Sequence, residues 1–157
     1  MLIYLVLLTI NILWILLLLL GPVLCLVTPE HVLLIKVYYS LLHLICHQKP
    51  ERSYFFLGFQ LPVCARCIGL YTGSLIGLLL YPLFKSLSNI RIPNLKYYFL
   101  FLTPMAIDGI CQTIGLYTTS NIFRTIIGIV ASAPAVFYLI PVINQIYNRL
   151  NNQLTKS

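Results

Sequence analysis

Residues 46–67 read CHQKPERSYFFLGFQLPVCARC, and the rest of the chain is organised around this stretch. It contains three of the five cysteines, one of the three histidines and three of the ten basic residues, together with one of the three acidic residues. The sequence on both sides is almost entirely apolar. We therefore expect the chemistry of the molecule within this segment and its structural support in the apolar flanks.

The composition of the whole chain predicts an integral membrane protein. Of its 157 residues, 60% are hydrophobic and only 8% are charged, whereas a soluble domain carries about 25% charged residues. A water-soluble monomer cannot cover so much apolar surface. The net charge of +7 does not indicate nucleic-acid binding, because the basic residues are scattered over several short polar segments. Such residues are typical of membrane-interface anchors.

Apolar runs and turn residues predict an all-α membrane bundle of four or five transmembrane helices. The first run has no charge from residue 2 to 27 and is long enough to cross a ~30 Å hydrocarbon core. A signal peptide is the competing interpretation, but it would need a basic start and a small-residue cleavage site. Pro134 and Pro141 are expected to kink the last helix. The predicted helices cover about 2–27, 30–47, 63–84, 97–117 and 121–147.

Two of these helices carry a pattern on one face. In the second helix, polar residues recur at intervals of four, three and four, and we expect that face to be turned away from lipid. In the third, small residues recur at every fourth position, which lets another helix approach closely. The polar face consists of Lys36, Ser40, His43 and His47, and the small-residue stripe of Ala65, Gly69, Gly73 and Gly77.

The segment between these two helices, residues 48–62, is too short and too broken by prolines to cross a membrane. We expect an interfacial or reentrant loop with its aromatic residues in the interface belt. The positive-inside rule predicts a cytoplasmic location for the linker 85–96 and for the C-terminal tail. The region from Cys46 to Cys67 then falls on the outer face of the cell membrane.

Asp108 is the only aspartate, and it lies inside the predicted fourth helix, ~13 Å below its outer end. A carboxylate at that depth costs several kcal/mol unless it is paired or coordinated. Arg124, one turn inside the fifth helix, is the predicted partner, and Gln112 and Asn121 are placed to complete the hydrogen bonds. The pair either fixes two helices against each other or takes part in chemistry, and the sequence leaves both readings open.

Cys64 and Cys67 form a C-x-x-C pair that brings two sulfurs to one side of a helical turn, where they can chelate a tetrahedral ion. Two more ligands are needed, and Cys46 with either His47 or His43 can supply them. The leading interpretation is a zinc or iron site formed by Cys46, His47, Cys64 and Cys67. A redox dithiol or disulfide, favoured by the neighbouring cation and an oxidising outer compartment, is the first alternative. Packing of small buried residues is the second.

Glu51 and Arg52 also have two interpretations. As neighbours at the interface they form a salt bridge worth ~0–1 kcal/mol if exposed. Alternatively, a carboxylate that is not a ligand is the general acid–base of many metal sites. The candidate catalytic residues are therefore Glu51 or Asp108 for proton transfer and Arg52 or Arg124 for an anionic group such as phosphate.

The motifs CHQKPERSYFF (46–56), QLPVCARCIGLYTG (60–73) and AIDG (106–109) resemble those of a prokaryotic membrane-protein family catalogued as domain of unknown function 2085. The resemblance covers about residues 40–133, with Ile68 standing where a small polar residue is expected. It implies a small multi-helix membrane protein and supplies no reaction. The signature positions are Cys46, His47, Gln48, Pro50, Glu51, Arg52, Cys64, Arg66, Cys67, Asp108, Gln112, Asn121 and Arg124.

Three classes of function fit these features. The leading hypothesis is a metal-dependent membrane protein that acts as an enzyme on a lipid or other membrane-soluble substrate. The second is a thiol–disulfide protein that passes electrons to a membrane quinone. The third is a small transporter or accessory subunit, although Thr103 and Pro104 alone would have to continue a polar path below Asp108. The expected partners are the lipid bilayer and a lipid or quinone ligand.

Overall fold

The computed structural model describes residues 2–154, and within that range it contains six α-helices and a two-stranded antiparallel sheet. A 3₁₀ turn, Pro50–Arg52, precedes the sheet. The elements are α1 (Leu2–Val27), α2 (Val32–His43), β1 (Ser53–Phe56), β2 (Phe59–Cys64), α3 (Ala65–Phe84), α4 (Leu95–Thr113), α5 (Asn121–Ser132) and α6 (Val136–Leu154).

The architecture is the helical membrane bundle that the composition predicts. Three helical stretches within residues 2–154 are long and apolar enough to cross a membrane, namely Leu2–Val27, Ala65–Phe84 and Asn121–Gln153. Large apolar side chains are exposed along them, including Leu13 and Leu83. Side chains of this kind are stable facing lipid rather than water. The predicted fold class is confirmed.

The second helix is shorter than predicted and ends at His43 instead of residue 47. Its 12 residues correspond to about 18 Å, which is too short to cross a hydrocarbon core. A turn follows, and Cys46 and His47 lie in non-helical backbone. The helix cannot continue because Lys49 precedes a proline and is extended, and Gln48 has a φ of +47°. The prediction that His47 shares a helical face with Lys36 is therefore wrong.

A β-hairpin occupies most of the segment predicted as an irregular loop at 48–62. Strands β1 and β2 pair with Phe56 opposite Phe59, and Leu57 and Gly58 form the two-residue turn. Both turn residues have positive φ, +54° and +83°, as in the turns whose twist matches that of paired strands. Because β2 continues through Pro62, α3 begins at Ala65 and not at residue 63.

The last three helices also differ from their predicted bounds. The Asn94 side chain accepts a hydrogen bond from a backbone amide in the first turn of α4, so this helix starts earlier than predicted. It also ends earlier, at Thr113, and Gly115 follows with a φ of +75°. The predicted fifth helix is divided into α5 and α6 at the turn around Pro134, whereas Pro141 lies inside α6 without interrupting it.

Helix α3 packs most closely against α5, through the predicted small-residue stripe. A Cβ atom added at Gly69, Gly73 or Gly77 would run into the backbone of residues 125–133. Gly128 on α5 completes the contact, because a Cβ there would lie 2.6 Å from the carbonyl oxygen of Arg66. The close approach brings the first turn of α3 beside the first turn of α5.

Helix α1 runs antiparallel to α3. The Tyr4 hydroxyl donates to the carbonyl of Leu78 (3.1 Å), and the Asn11 amide donates to the hydroxyl of Ser74 (2.6 Å). Further along, Leu18 packs in one core cluster with residues 63 and 64, at the beginning of α3. Residues 19–27 of α1 therefore extend past the level at which α3 starts.

Candidate functional site

Three cysteines meet where β2 joins α3. Cys46 lies in the non-helical segment after α2, Cys64 is the last residue of β2, and Cys67 is in the first turn of α3. The backbone amide of Cys64 donates to the Cys46 sulfur (3.1 Å), and the Cys64 and Cys67 sulfurs are 3.6 Å apart. Cys46 and Cys64 are buried. The structure thus brings together all three cysteines of the predicted metal set.

His47 completes a group with the dimensions of a metal site. The ligand atoms of Cys46, His47 and Cys64 all lie within 4.8 Å of one another, and His47 Nδ1 is 3.8 Å from the Cys46 sulfur. Two sulfurs bound to one tetrahedral ion at ~2.3 Å each would be about 3.8 Å apart, close to the separation of Cys64 and Cys67. Neither Cys67 nor His43, the alternative ligand, is in this group of three among residues 2–154, but the Cys67 sulfur adjoins it through Cys64.

The thiols of this group differ in acidity. Hydrogen bonds from Cys64 and from Cys67 lower the pKa of the Cys46 thiol far below its ordinary value. The pKa of Cys64 is raised, chiefly by its hydrogen bond to Cys46. Cys46 is therefore a stronger acid than Cys64, and the thiolate is the form that binds metal ions and attacks disulfides.

A closed set of hydrogen bonds fixes the segment that carries Cys46. The Gln48 amide donates to the carbonyl of Tyr39 (2.8 Å), the Gln60 amide donates to the carbonyl of Gln48 (2.6 Å), and the Tyr39 hydroxyl donates to the carbonyl of Gln60 (2.6 Å). The end of α2, the following segment and β2 are thereby connected. Gln48 is thus a positioning residue. Sequence reasoning did not single out Tyr39 or Gln60, because nothing distinguishes them from other interfacial polar side chains.

The hairpin is also attached to α5. The Asn121 side-chain amide donates to the carbonyl of Ser53 (3.2 Å), and the hydroxyls of Tyr54 and Thr125 are 2.9 Å apart. Thr125 also donates to the carbonyl of Ala65 (3.2 Å). Helix α5 is therefore bonded beside the cysteines to two elements that are distant from it in the sequence, the hairpin and the start of α3.

The buried carboxylate of Asp108 pairs with Arg66, and not with Arg124 as predicted. Asp108 is 2% exposed, and its second oxygen accepts from the amide of Gln112 (2.7 Å). Its depth is also less than predicted, because α4 ends five residues later at Thr113, about 7.5 Å along the axis. Arg66 was overlooked as a partner because sequence reasoning assigned it only to the C-x-x-C pair.

Arg124 lies in the same network but bonds to neutral groups. It is 5% exposed and donates to Asn121 Oδ1 (2.8 Å) and to Gln112 Oε1 (3.3 Å). Gln112 therefore bridges Asp108 and Arg124. The hydrogen-bonding roles predicted for Gln112 and Asn121 are confirmed, although Asp108 and Arg124 do not contact each other directly.

Glu51 and Arg52 are in the 3₁₀ turn at the edge of this network. Glu51 is exposed and forms no ion pair or hydrogen bond with any other residue in the described range 2–154. Glu51 and Arg52, which both lie in the described range, therefore do not form the predicted ion pair. Arg52 is half-buried and close enough to Arg124 for the two charges to repel each other.

The fold and the site define a helical membrane protein with a cysteine–histidine group and a buried arginine–carboxylate network at one end of the bundle. The chain belongs to the family described as predicted membrane protein (DUF2085), whose model matches residues 46–138. This match extends from the first cysteine of the group past Arg124, and it confirms the resemblance found in the motifs.

Two archaeal proteins are similar to this chain. An uncharacterised protein of Methanocaldococcus jannaschii is 47% identical over 104 residues, which are 66% of this chain and 67% of the relative. An uncharacterised protein of Methanothermobacter thermautotrophicus is 35% identical over 89 residues, 55% of this chain and 77% of the relative. No solved structure matches the chain.

Proposed function

We propose that this protein binds a zinc or iron ion in the membrane, with Cys46, His47, Cys64 and Cys67 as its ligands. The observation that carries the proposal is the convergence of donor atoms from two segments 18 residues apart, with three ligand atoms mutually within 4.8 Å. Three thiolates and an imidazole are one of the common ligand sets of zinc.

The ion could have a structural or a catalytic role, and which one it has depends on whether the exposed His47 stays bound. With all four ligands bound, the site is closed and structural, whereas a catalytic ion keeps one position open. Release of His47 would open that position toward a lipid or another membrane-soluble substrate. Glu51 is then the carboxylate free for proton transfer, since Asp108 is held by Arg66.

Elemental analysis of the detergent-purified protein tests this proposal. We expect one equivalent of zinc or iron in the wild type and none in the variant Cys64→Ser/Cys67→Ser. The matched control is Cys25→Ser/Cys111→Ser, which changes the same number of thiols outside the group and should keep the metal. A wild type free of metal, or equal metal contents in all three proteins, would contradict the proposal.

A membrane thiol–disulfide protein is the second candidate, and the 3.6 Å separation of the Cys64 and Cys67 sulfurs favours it. Oxidation would join these sulfurs and release two electrons and two protons, which convert a quinone to the quinol. Cys46 is close enough to exchange with the disulfide as a third thiol. Alkylation followed by mass spectrometry distinguishes the candidates. Metal-free protein that gains two reactive thiols on reduction supports the redox function.

A further inference from the structure

The polar network beside the cysteines has more positive than negative charge. Arg66 is neutralised by Asp108, whereas Arg124 bonds to two neutral amides and Arg52 lies close enough to repel it. Among the hydrogen-bonded and ion-paired groups of the network, guanidinium groups therefore outnumber carboxylates. Arg124 is 95% buried, being 5% exposed, and a buried cation without a counter-ion is strongly destabilising.

Two hydrogen-bond donors in this network lack an acceptor. The Nε atoms of Arg66 and Arg124 are both buried and have no hydrogen-bond partner within the described part of the chain. Buried donors in folded proteins are nearly always paired. Since the surroundings already carry an excess of positive charge, the acceptor that satisfies both charge and hydrogen bonding is an anion.

A cavity next to the network indicates what kind of anion fits. Arg66 lines a cavity of about 630 Å³ against α4, within the size range of ligand pockets. The opposite wall is apolar and includes Leu102, Met105, Ala106 and Ile110. A cation at one edge of an apolar cavity is complementary to an amphiphile with an anionic head and a hydrocarbon chain.

We infer that this network binds the phosphate group of a phosphomonoester lipid. The phosphate oxygens accept hydrogen bonds from Arg66, which lines the cavity, and the hydrocarbon chain occupies the cavity along α4. A phosphomonoester carries about −1.5 to −2 charges near neutral pH, so it complements the positive charge of the arginines. Guanidinium groups bind phosphate with paired N–H donors. The inference does not depend on the metal site.

Titration of the detergent-purified full chain with phosphatidic acid, followed by native mass spectrometry, tests the inference. We expect a one-to-one complex at least tenfold tighter than with phosphatidylcholine of the same acyl chains. Arg66→Gln/Asp108→Asn replaces the ion pair by two neutral amides, which avoids a lone buried charge, and should weaken phosphatidic acid binding about tenfold. Arg91→Gln, on the exposed linker before α4, is the control and should leave binding unchanged.

The single variant Asp108→Asn separates binding from a purely structural role. It frees Arg66 from its carboxylate, so a phosphate site should bind phosphatidic acid more tightly, whereas a network that only supports the fold should not. Equal affinity for the two lipids, or no loss in the double variant, would overturn the inference. So would inorganic phosphate that binds as tightly as the lipid and displaces it. Metal content measured in the same samples keeps this outcome separate from that of the proposed metal function.

Discussion

At the scale of single residues, Asp108 and Arg66 are the pair on which the polar network depends. The carboxylate is almost fully buried, and its two oxygens accept from donors on α3 and on its own helix. Without the guanidinium, this carboxylate would be buried with no ion-pair partner. The pair therefore stabilises the packing of α3 against α4 as well as the electrostatics of the site.

We predict that Arg66→Gln lowers the free energy of unfolding by roughly 2–3 kcal/mol, because it leaves the charge of Asp108 buried without a partner. A second substitution, Asp108→Asn, should recover at least half of this loss. Unfolding in mixed micelles, monitored by the fluorescence of Trp14, measures both variants, since Trp14 is the only tryptophan of the chain. Equal stability of Arg66→Gln and the wild type would contradict a stabilising role of the ion pair.

The need of Asp108 for a partner was predictable from the sequence, but the identity of that partner was not. An isolated carboxylate within an apolar segment requires a cation, and two arginines were available at the same end of the bundle. Whether Arg66 or Arg124 pairs with Asp108 depends on how α3 and α5 are rotated about their axes relative to α4. Helical periodicity in the sequence does not fix that rotation. The gathering of the three cysteines was predictable because their segments were adjacent to the same loop.

At the scale of elements, the glycine-lined contact between α3 and α5 positions the site. The two helices approach so closely that no side chain fits between them at Gly69 or Gly73. Consequently the first turns of both helices, which carry Arg66 and Arg124, lie side by side. The repeat of small residues at every fourth position predicted that a helix would approach closely here, but not that this helix would be α5.

Gly69→Ala and Gly109→Ala form a matched pair of substitutions. A Cβ at Gly69 would collide with the backbone of Thr125, so the helices must separate, at a loss of about 1–3 kcal/mol. A Cβ at Gly109 on α4 would meet nothing within 4 Å, so the same change should gain about 0.5–1 kcal/mol from helix propensity. Denaturant unfolding of both variants measures the difference, and equal effects would mean that α3 and α5 are farther apart.

The hairpin was the element that sequence reasoning missed. The aromatic run before Leu57 and the apolar residues after Gly58 are consistent with two strands, but the prolines and the short length favour a loop. The strand pairing becomes favourable only because Asn121 and Tyr54 attach the hairpin to α5. Isolated two-stranded hairpins are marginal in water, so tertiary contacts decide this element.

We predict that Gly58→Val destabilises the protein by about 1–2 kcal/mol, whereas Gly58→Asn has a much smaller effect. The backbone of Gly58 has a φ of +83°, which valine adopts only with strain and asparagine tolerates. A Cβ at this position meets nothing within 4 Å, so the loss of stability would come from backbone strain alone. Thermal unfolding compares the two variants, and similar melting temperatures would contradict the turn conformation.

At the scale of the whole molecule, a bound metal ion would couple the site to the stability of the bundle. The ligands come from the segment after α2, from β2 and from α3, so a bound ion would hold three elements together. An ion that binds only the folded state stabilises that state by mass action. The composition and the lengths of the apolar helices made the membrane bundle predictable. The coupling of metal binding to stability was not, because it depends on contacts between distant segments.

Removing the metal with a chelator should lower the melting temperature of the wild-type protein by roughly 5–10 °C. The chelator should leave the melting temperature of Cys64→Ser/Cys67→Ser unchanged, because that variant has lost two of the four ligands. Circular dichroism at increasing temperature follows both proteins in the same detergent. A shift of equal size in both would show that the chelator acts elsewhere on the molecule.

The length of α1 has a consequence for access to the thiols. This helix passes the level of Cys64 at Leu18 and continues through residue 27, a further ~13 Å, before α2 turns back. The side chains on this protruding pair of helices include the exposed Leu26, Val27 and Leu33, and hydrocarbon is the medium that covers such groups. We therefore expect reagents to reach the sulfurs by partitioning into the membrane and diffusing laterally.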